Sequence, residues 1–303
     1  MTTDCSNHVL TVCVTFSARV GILYFLNVTR LSLRMATPEP AIMEKRSFVV
    51  ITGVGRGLGR SIASKFVEKL PLSSLFVFLS PSDTGQESLV SELLTSRPGV
   101  RIRTQTFDQG EMDQNIFDNI FVDILKNDNL ESHEFDQVII VHNSAIVGDV
   151  TKWTWDLTEV TSLVRLFDVN IVGMILLNSS FLKTFSDVSS RIIVNVTSGN
   201  AIRPYKTMST YCAAKAARDM FFRVLSSEDP TIRVLTYSPG HVDTDMLTYV
   251  RDNTIDKDLA DKIRAAYTEG RVVTGDASAD RLMAILEKNT FENASYVAFA
   301  DPL

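Results

Sequence analysis

The sequence predicts an α/β fold: a doubly wound (Rossmann) parallel sheet with helices on both faces, in a single domain. Three observations predict it. From Ser47 to the C-terminus, short apolar runs alternate with longer stretches of helical periodicity. Those stretches are long enough to cross over a sheet, which sets successive strands parallel. A cluster of glycines follows the first apolar run directly, the turn such sheets use where a strand gives way to a helix.

The elements follow in order. FVVIT (48–52) is a buried strand and GRSIASKFVEKL (59–70) an amphipathic helix; LFVFLS (75–80) is the second strand and GQESLVSELLTS (85–96) the second helix. VRIRTQTF (100–107) alternates as a strand with one solvated face, and a helix runs through NIFDNIFVDIL (115–125). QVIIVH (137–142) is a central strand, followed by a long helix over about 159–185. RIIVNVTS (191–198), the helix STYCAAKAARDMFFRVLSSE (209–228) and IRVLTYSPG (232–240) continue the pattern, and ASADRLMAILEK (277–288) and SYVAFA (295–300) close it as helix and strand. There is no internal repeat.

Of 303 residues, 45% are hydrophobic and 22% charged, with a net charge of -6. That balance suits a soluble globular protein with no nucleic acid and no acidic membrane surface as partner. Cys5, Cys13 and Cys212 have no metal-ligand spacing, which points to no metal and to a reducing, cytoplasmic setting. Residues 1–46 read as an N-terminal extension to a domain over 47–303. The extension carries an apolar stretch (8–28) interrupted by Arg19, with Arg30 and Arg34 beyond it and Asp4 before it, and then the Pro-rich ATPEPA (36–41). A poorly ordered extension, an organellar transit peptide and a membrane anchor all fit this composition; the central Arg counts against the anchor.

TGVGRGLG (52–59) lies between the first strand and the first helix. Glycines there let the backbone approach a pyrophosphate, and the helix N-terminus offers free N–H groups to the anion. Further along, Tyr211 and Lys215 stand four residues apart, on one face of a helix. A tyrosine has a pKa of about 10, and an ammonium beside it is expected to lower that value and ready the phenol for proton transfer.

The spacing of Gly53, Gly57 and Gly59 is T-G-x-x-x-G-x-G, with Gly55, Arg56 and Leu58 between, and it resembles the loop of the short-chain dehydrogenase/reductase family. Other motifs of that family fall in order. Asp108 follows the third strand, where the family holds the adenine. HNSA (142–145) stands where N-N-A-G is expected, and keeps Asn143. Asn170 lies inside the long helix. Ser198 precedes Tyr211 by thirteen residues, and Tyr211 and Lys215 complete Y-x-x-x-K. Pro239 and Gly240 follow the sixth strand, with Val242 and Thr244 just after.

The resemblance implies carbonyl reduction with a nicotinamide cofactor. Tyr211 gives the carbonyl oxygen its proton, Ser198 hydrogen-bonds that oxygen, Lys215 holds the nicotinamide ribose, and Asn170 anchors a proton-relaying water; the alternative for Asn170 is a capped helix kink. Ser80 and Ser82 stand where NAD-preferring members carry an acid, and Arg56 suits the 2′-phosphate of NADPH, with Asp83 as the contrary sign. The segments 211–247, 148–150 and 282–291 resemble one branch, the sepiapterin reductases, which implies reduction of pterin side-chain carbonyls in tetrahydrobiopterin biosynthesis. That branch places a pterin-anchoring aspartate where this chain has Ala298 in YVAFAD (296–301), so Asp301 is the candidate substitute. Reduction of non-pterin carbonyls, such as α-dicarbonyls or quinones, is the competing reading; a catalytically silent binding protein is a third, against which Ser198, Tyr211 and Lys215 speak. The family also implies a homodimer through the helices carrying Asn170 and Tyr211. Cys212 reads as a packing residue, and Trp153 and Trp155 as either a pocket entrance or loop packing.

Overall fold

A computed structural model describes residues 41–302. The readings made for residues 1–40 lie outside the described residues. Those made for 41–46 do not: Ile42–Glu44 form one 3₁₀ turn, Ile42 is buried in the core, and its carbonyl accepts from the Gln137 side chain. The folded unit therefore takes in residues ahead of the expected start at Ser47.

Seven strands form one parallel sheet: β1 (Ser47–Thr52), β2 (Leu75–Ser80), β3 (Arg101–Thr106), β4 (Gln137–His142), β5 (Arg191–Val196), β6 (Ile232–Ser238) and β7 (Tyr296–Ala298). Their order is β3-β2-β1-β4-β5-β6-β7, so the winding reverses between β1 and β4. In open sheets of this kind the crevice at the strands' carboxyl ends, at that reversal, is the ligand site. β1, β2 and β4 are buried on both faces, which explains their unbroken Val, Ile, Leu and Phe.

Alternate residues divide between two cores, as the strand period of two requires. Val49, Ile51, Phe76, Ile139 and Val194 pack under α1 (Gly57–Lys69), α2 (Thr84–Ser96) and, later in the chain, α9 (Gly275–Lys288). Phe48, Val50, Val77, Ile140 and Ile193 pack under α3 (Gln114–Asn127), α5 (Gly173–Thr184) and α6 (Ser209–Glu228). α6 runs over the residues expected of it.

The long helix is continuous over Val160–Thr184 but not uniform. α4 (Val160–Phe167) passes through a wider π turn, Asp168–Val172, into α5. Single π turns inside α-helices concentrate at functional sites. Val160–Thr184 is also long and apolar enough to cross a membrane, yet one side of it is core: Leu166, Met174, Leu177 and Phe181 are buried.

Two helices had no counterpart in the sequence reading: α7 (Asp245–Asn253) and α8 (Lys257–Thr268). The cue was present. Thr244 is the N-cap of α7, its hydroxyl accepting from the Leu247 N–H at 3.3 Å, and Asp256 is the N-cap of α8.

Candidate active site

The glycine turn is built by β1 and held by β4. Thr52 ends β1, and its hydroxyl oxygen accepts from the N–H groups of Asn143 and Ser144 at 3.0 and 2.9 Å. The Asn143 amide donates to the carbonyls of Thr52 and Gly53 at 3.0 and 3.3 Å. Asn143 thus shapes the turn from across the crevice. Gly53 and Gly57 have φ of +75° and +53°, the left-handed region that favours glycine. A Cβ on Gly59 would collide with the Gly53 carbonyl oxygen, so helix and turn touch backbone to backbone. α1 has no side chain capping its N-terminus. The N–H groups of its first turn, Gly57, Leu58 and Gly59, have no intrahelical acceptor by position and suit a pyrophosphate.

At the adenosine end, a Cβ on Gly55 would stand 3.1 Å from the Ser80 hydroxyl oxygen. Ser80 is buried and Ser82 exposed. Gly85, which the sequence reading passed over, lies against Gly55 so closely that only hydrogen fits between them. Arg56 is exposed and reaches across to Asp245 on α7, N–O 3.0 Å. A second cation stands near: Arg60 donates to the Gly85 carbonyl at 3.3 Å and pairs with Glu92 at 2.6 Å. Asp108, expected at the adenine, is bound on both oxygens by Arg165, at 2.7 and 2.8 Å. Partial burial raises its carboxyl, but the Arg165 bonds and the Gly110 N–H outweigh that and hold it below the usual range.

At the reacting end, Ser198 follows β5 and caps a short 3₁₀ turn, Gly199–Ala201. Its hydroxyl donates to Asn200 Oδ1 at 2.9 Å and accepts from the Asn200 N–H at 3.2 Å. The Asn200 amide nitrogen lies 3.5 Å from both Met208 Sδ and Cys212 Sγ, tying Ser198 to the helix of Tyr211. Sequence reasoning missed Asn200, because no spacing rule marks it.

Tyr211 and Lys215 share one buried face of α6, the ammonium 5.5 Å from the phenol ring centre. Lys215 donates to the Val196 carbonyl at 2.7 Å. The expected lowering of the phenol pKa is not what this environment produces. Burial pushes Tyr211 up to about 12, with Arg218 opposing. Burial and Arg218 also drive Lys215 well below its ordinary value, so its charge is itself disfavoured there.

Arg218 was not singled out from the sequence. It is buried and donates to the carbonyls of His142 and Ser144, at 2.7 and 3.2 Å, and to Asn195 Oδ1 at 3.1 Å. It fastens the ends of β4 and β5 to the face of α6 that carries Tyr211 and Lys215.

Asn170 is fully buried in the π turn. Its amide donates to the Ile146 carbonyl at 2.8 Å and accepts from the Ile146 N–H at 2.9 Å. Its side chain is thereby tied to the β4–α4 segment, and these two bonds leave one amide N–H and one oxygen lone pair unused.

The side chains packed with Tyr211 are apolar. Val147, Val150 and Met208 are buried with it, along with Val250 from α7 and Leu259 and Ile263 from α8. Partly buried Tyr205, Cys212, Met246, Leu247 and Tyr267 border this cluster. After β6, the Ser278 hydroxyl donates to the Pro239 carbonyl at 3.0 Å, Gly240 (φ +82°) packs under Phe299, Val242 is buried, and Thr244 Cγ2 would lie 3.1 Å from a Cβ on Gly57. The loop after β6 and the glycine turn therefore close on the same crevice.

β7 pairs Ala298 with Ser238, which brings the C-terminal segment beside Pro239 and Gly240. The Asp301 carboxylate turns back and accepts from the Ala298 N–H at 2.7 Å, while Arg281 holds the Asp301 carbonyl. Trp153 and Trp155 stack on each other with centroids 5.7 Å apart, and Trp155 is exposed.

The short chain dehydrogenase family model matches residues 47–255. The sepiapterin reductase of Bos taurus is 33% identical over 259 residues, covering 84% of this chain and 95% of its own. The benzil reductase of Bacillus subtilis, which forms (S)-benzoin, is 27% identical over 255 residues, covering 82% of this chain and 96% of its own. Among solved structures, the KRED1-Pglu enzyme superposes with a TM-score of 0.69 at 22% identity, over 83% of this chain and all of that one. Strand order, glycine turn and Tyr-Lys helix agree with these likenesses, and the chain belongs to the short-chain dehydrogenase family, as a carbonyl reductase working with a nicotinamide cofactor and resembling sepiapterin reductase.

Proposed function

We propose that the protein is an NADPH-dependent reductase of pterin side-chain carbonyls, with Ser198, Tyr211 and Lys215 as its catalytic residues, acting in the cytoplasm as a homodimer. The observation that carries the chemistry is the pairing of a buried, protonated phenol with a cluster of apolar side chains from α7 and α8 beyond the carboxyl edge of the sheet. A phenol of pKa about 12 stays protonated at neutral pH, which suits donation to a forming alkoxide rather than removal of an alcohol proton. The bound nicotinamide would supply the hydride. Tyr211 gives the oxygen its proton, Ser198 stabilises the negative charge developing there, and the apolar wall from α7 and α8 excludes water. Lys215, freed from the Val196 carbonyl, holds the nicotinamide ribose.

The NADPH preference is supported by Ser80 and Ser82 in place of an acid, and by Arg56. The Arg56–Asp245 ion pair is exposed, so it is worth little and yields readily to a phosphate. Support for the pterin comes from the sepiapterin reductase relatives and from the carboxylate of Asp301, which reaches back to the backbone of residue 298. The homodimer is supported by an apolar surface on the described residues: Val160, Val164 and Val172 on one helix and Met220 and Val224 on α6 are exposed.

A second reading has its own observation. Ala298 puts no side-chain carboxylate at the pterin edge, and one Asp301 oxygen is engaged by the backbone. A hydrophobic α-dicarbonyl, of the kind the name benzil reductase describes for its relative, needs no such anchor. NADPH oxidation by purified protein, with sepiapterin against diacetyl, decides between them. Tyr211→Phe should abolish either activity and leave NADPH binding intact; full turnover in Tyr211→Phe would sink the mechanism.

A further inference from the structure

A serine hydroxyl has one proton to give. In the proposed reaction, on which this inference rests, Ser198 must direct that proton at the substrate oxygen. In this structure it is directed elsewhere: the hydroxyl donates to Asn200 Oδ1 at 2.9 Å, and one lone pair already accepts the Asn200 N–H. On its other side the Asn200 amide nitrogen faces only two sulfurs, Met208 Sδ and Cys212 Sγ, each at 3.5 Å. Sulfur is a weak acceptor, so this end of the amide is poorly used.

We infer that Asn200 is a positioning residue whose amide turns over to set the direction of the Ser198 hydroxyl, with the Cys212 thiol as its counter-partner. Turned by half a rotation, Asn200 Nδ2 donates to Ser198 Oγ, and the serine proton is released toward the pocket. Asn200 Oδ1 then faces the sulfurs, where the Cys212 S–H can donate to it. The chain of donors becomes Cys212 S–H to Asn200 Oδ1, Asn200 N–H to Ser198 Oγ, and Ser198 O–H to the developing oxyanion. The turn keeps the amide bonded at both ends, and redirects the Cys212 S–H from its long 4.0 Å contact with the Arg203 carbonyl to the amide oxygen. Simple rotation of the serine away from Asn200 would instead leave Oδ1 without its donor. Gly199 leaves this corner open: the nearest atom to a Cβ there is the Tyr205 hydroxyl oxygen, at 3.9 Å.

The test exploits what an amide can do and a carboxylate cannot. Asn200→Asp, while ionised, presents two acceptors and no donor, so it holds the Ser198 proton away from substrate. Its kcat for NADPH-dependent reduction of sepiapterin or diacetyl should fall about a hundredfold, the loss of one oxyanion donor, with KM little changed. The loss should shrink as pH falls and the introduced carboxyl takes up a proton it can donate. Asn200→Ala frees the serine and should cost less than about tenfold. Cys212→Ser, which keeps a donor, should stay near wild type, whereas Cys212→Ala should share the alanine variant's loss. Equal kcat in Asn200→Asp and Asn200→Ala at unchanged melting temperature, or a pH profile of Asn200→Asp parallel to wild type, would overturn the inference. Ser198→Ala separates it from the reading beneath. An active Ser198→Ala removes the serine's role and this inference with it. An inactive Ser198→Ala beside a fully active Asn200→Asp overturns the inference alone.

Discussion

His142 stands where the family motif has asparagine, and its burial makes a stability prediction. The ring is 1% exposed, Nε2 lies 3.2 Å from Asn178 Oδ1, and the ring packs 5.5 Å from that of Phe222. Burial drives its pKa down to about 3; Arg218, bound to the His142 carbonyl, adds to this, and the Asn178 bond opposes it. In the unfolded chain an imidazole titrates near 6.5. The folded value is the lower one, so the unfolded state binds the extra proton. Stability from this group is whole above about pH 6.5 and drains away as pH falls toward 3. At about pH 5, some 1.5 pH units below the unfolded pKa, the loss is about 2 kcal/mol. In a domain of this size that lowers the melting temperature by roughly 4 °C or more. The measurement is thermal unfolding followed by circular dichroism, at about pH 7.5 and about pH 5, for wild type and His142→Gln. Carboxylates elsewhere titrate in both proteins and cancel. Glutamine carries no titrating group, so the wild-type advantage over the variant should narrow by about 2 kcal/mol in acid. If the two proteins lose stability in parallel, the buried neutral imidazole is not a source of acid sensitivity and the reasoning fails.

Other outcomes are expected on the same footing. Arg56→Ala should raise KM for NADPH far more than for NADH, by a charge-assisted contact worth about 1.5–3 kcal/mol, while Asp245→Ala should not weaken NADPH; equal effects of Arg56→Ala on both cofactors would refute the phosphate role. Val224→Glu sets a charge on the exposed apolar face of α6, and sedimentation should show monomer where wild type shows dimer. Ala298→Asp should lower KM for sepiapterin roughly tenfold or more and leave diacetyl unchanged. Asp301→Ala in the native background should abolish pterin turnover if Asp301 is the anchor, and have no effect if the pocket takes other carbonyls.

Much of the fold was legible because its signals are local and repeated. Apolar runs such as QVIIVH and the glycine turn announce a buried parallel sheet whatever surrounds them, and α6 shows its limits in residue type alone. α7 and α8 were passed over because they are polar amphipathic helices between motifs, with Thr244 read as a cofactor residue rather than a cap. Candidate site positions could be named where a family spacing fixes them, as for Ser198, Tyr211 and Lys215. What those residues experience was not. The phenol pKa depends on burial and on Arg218, seven residues along the helix, and the proximity of Lys215 in sequence pointed to the opposite sign. Gly85 and Asn200 matter through contacts that only the folded chain creates. Ile42 packs into the core although it follows a Pro-rich stretch that reads as linker.

The π turn at Asp168–Val172 makes this enzyme sensitive to length as well as to identity. Each residue of a helix advances the chain by about 100°. A single deletion within that turn would let an ordinary α-helix close over the gap, a locally favourable repair. Everything on one side of the repair would then be rotated by about a quarter turn against the other. Asn170 would leave Ile146, or the core residues Met174, Leu177 and Phe181 would swing off the sheet. Gly173 already fixes identity at one point, since a Cβ there would collide with the Gln109 carbonyl oxygen, but the number of residues between Leu166 and Met174 is a further specification of the site.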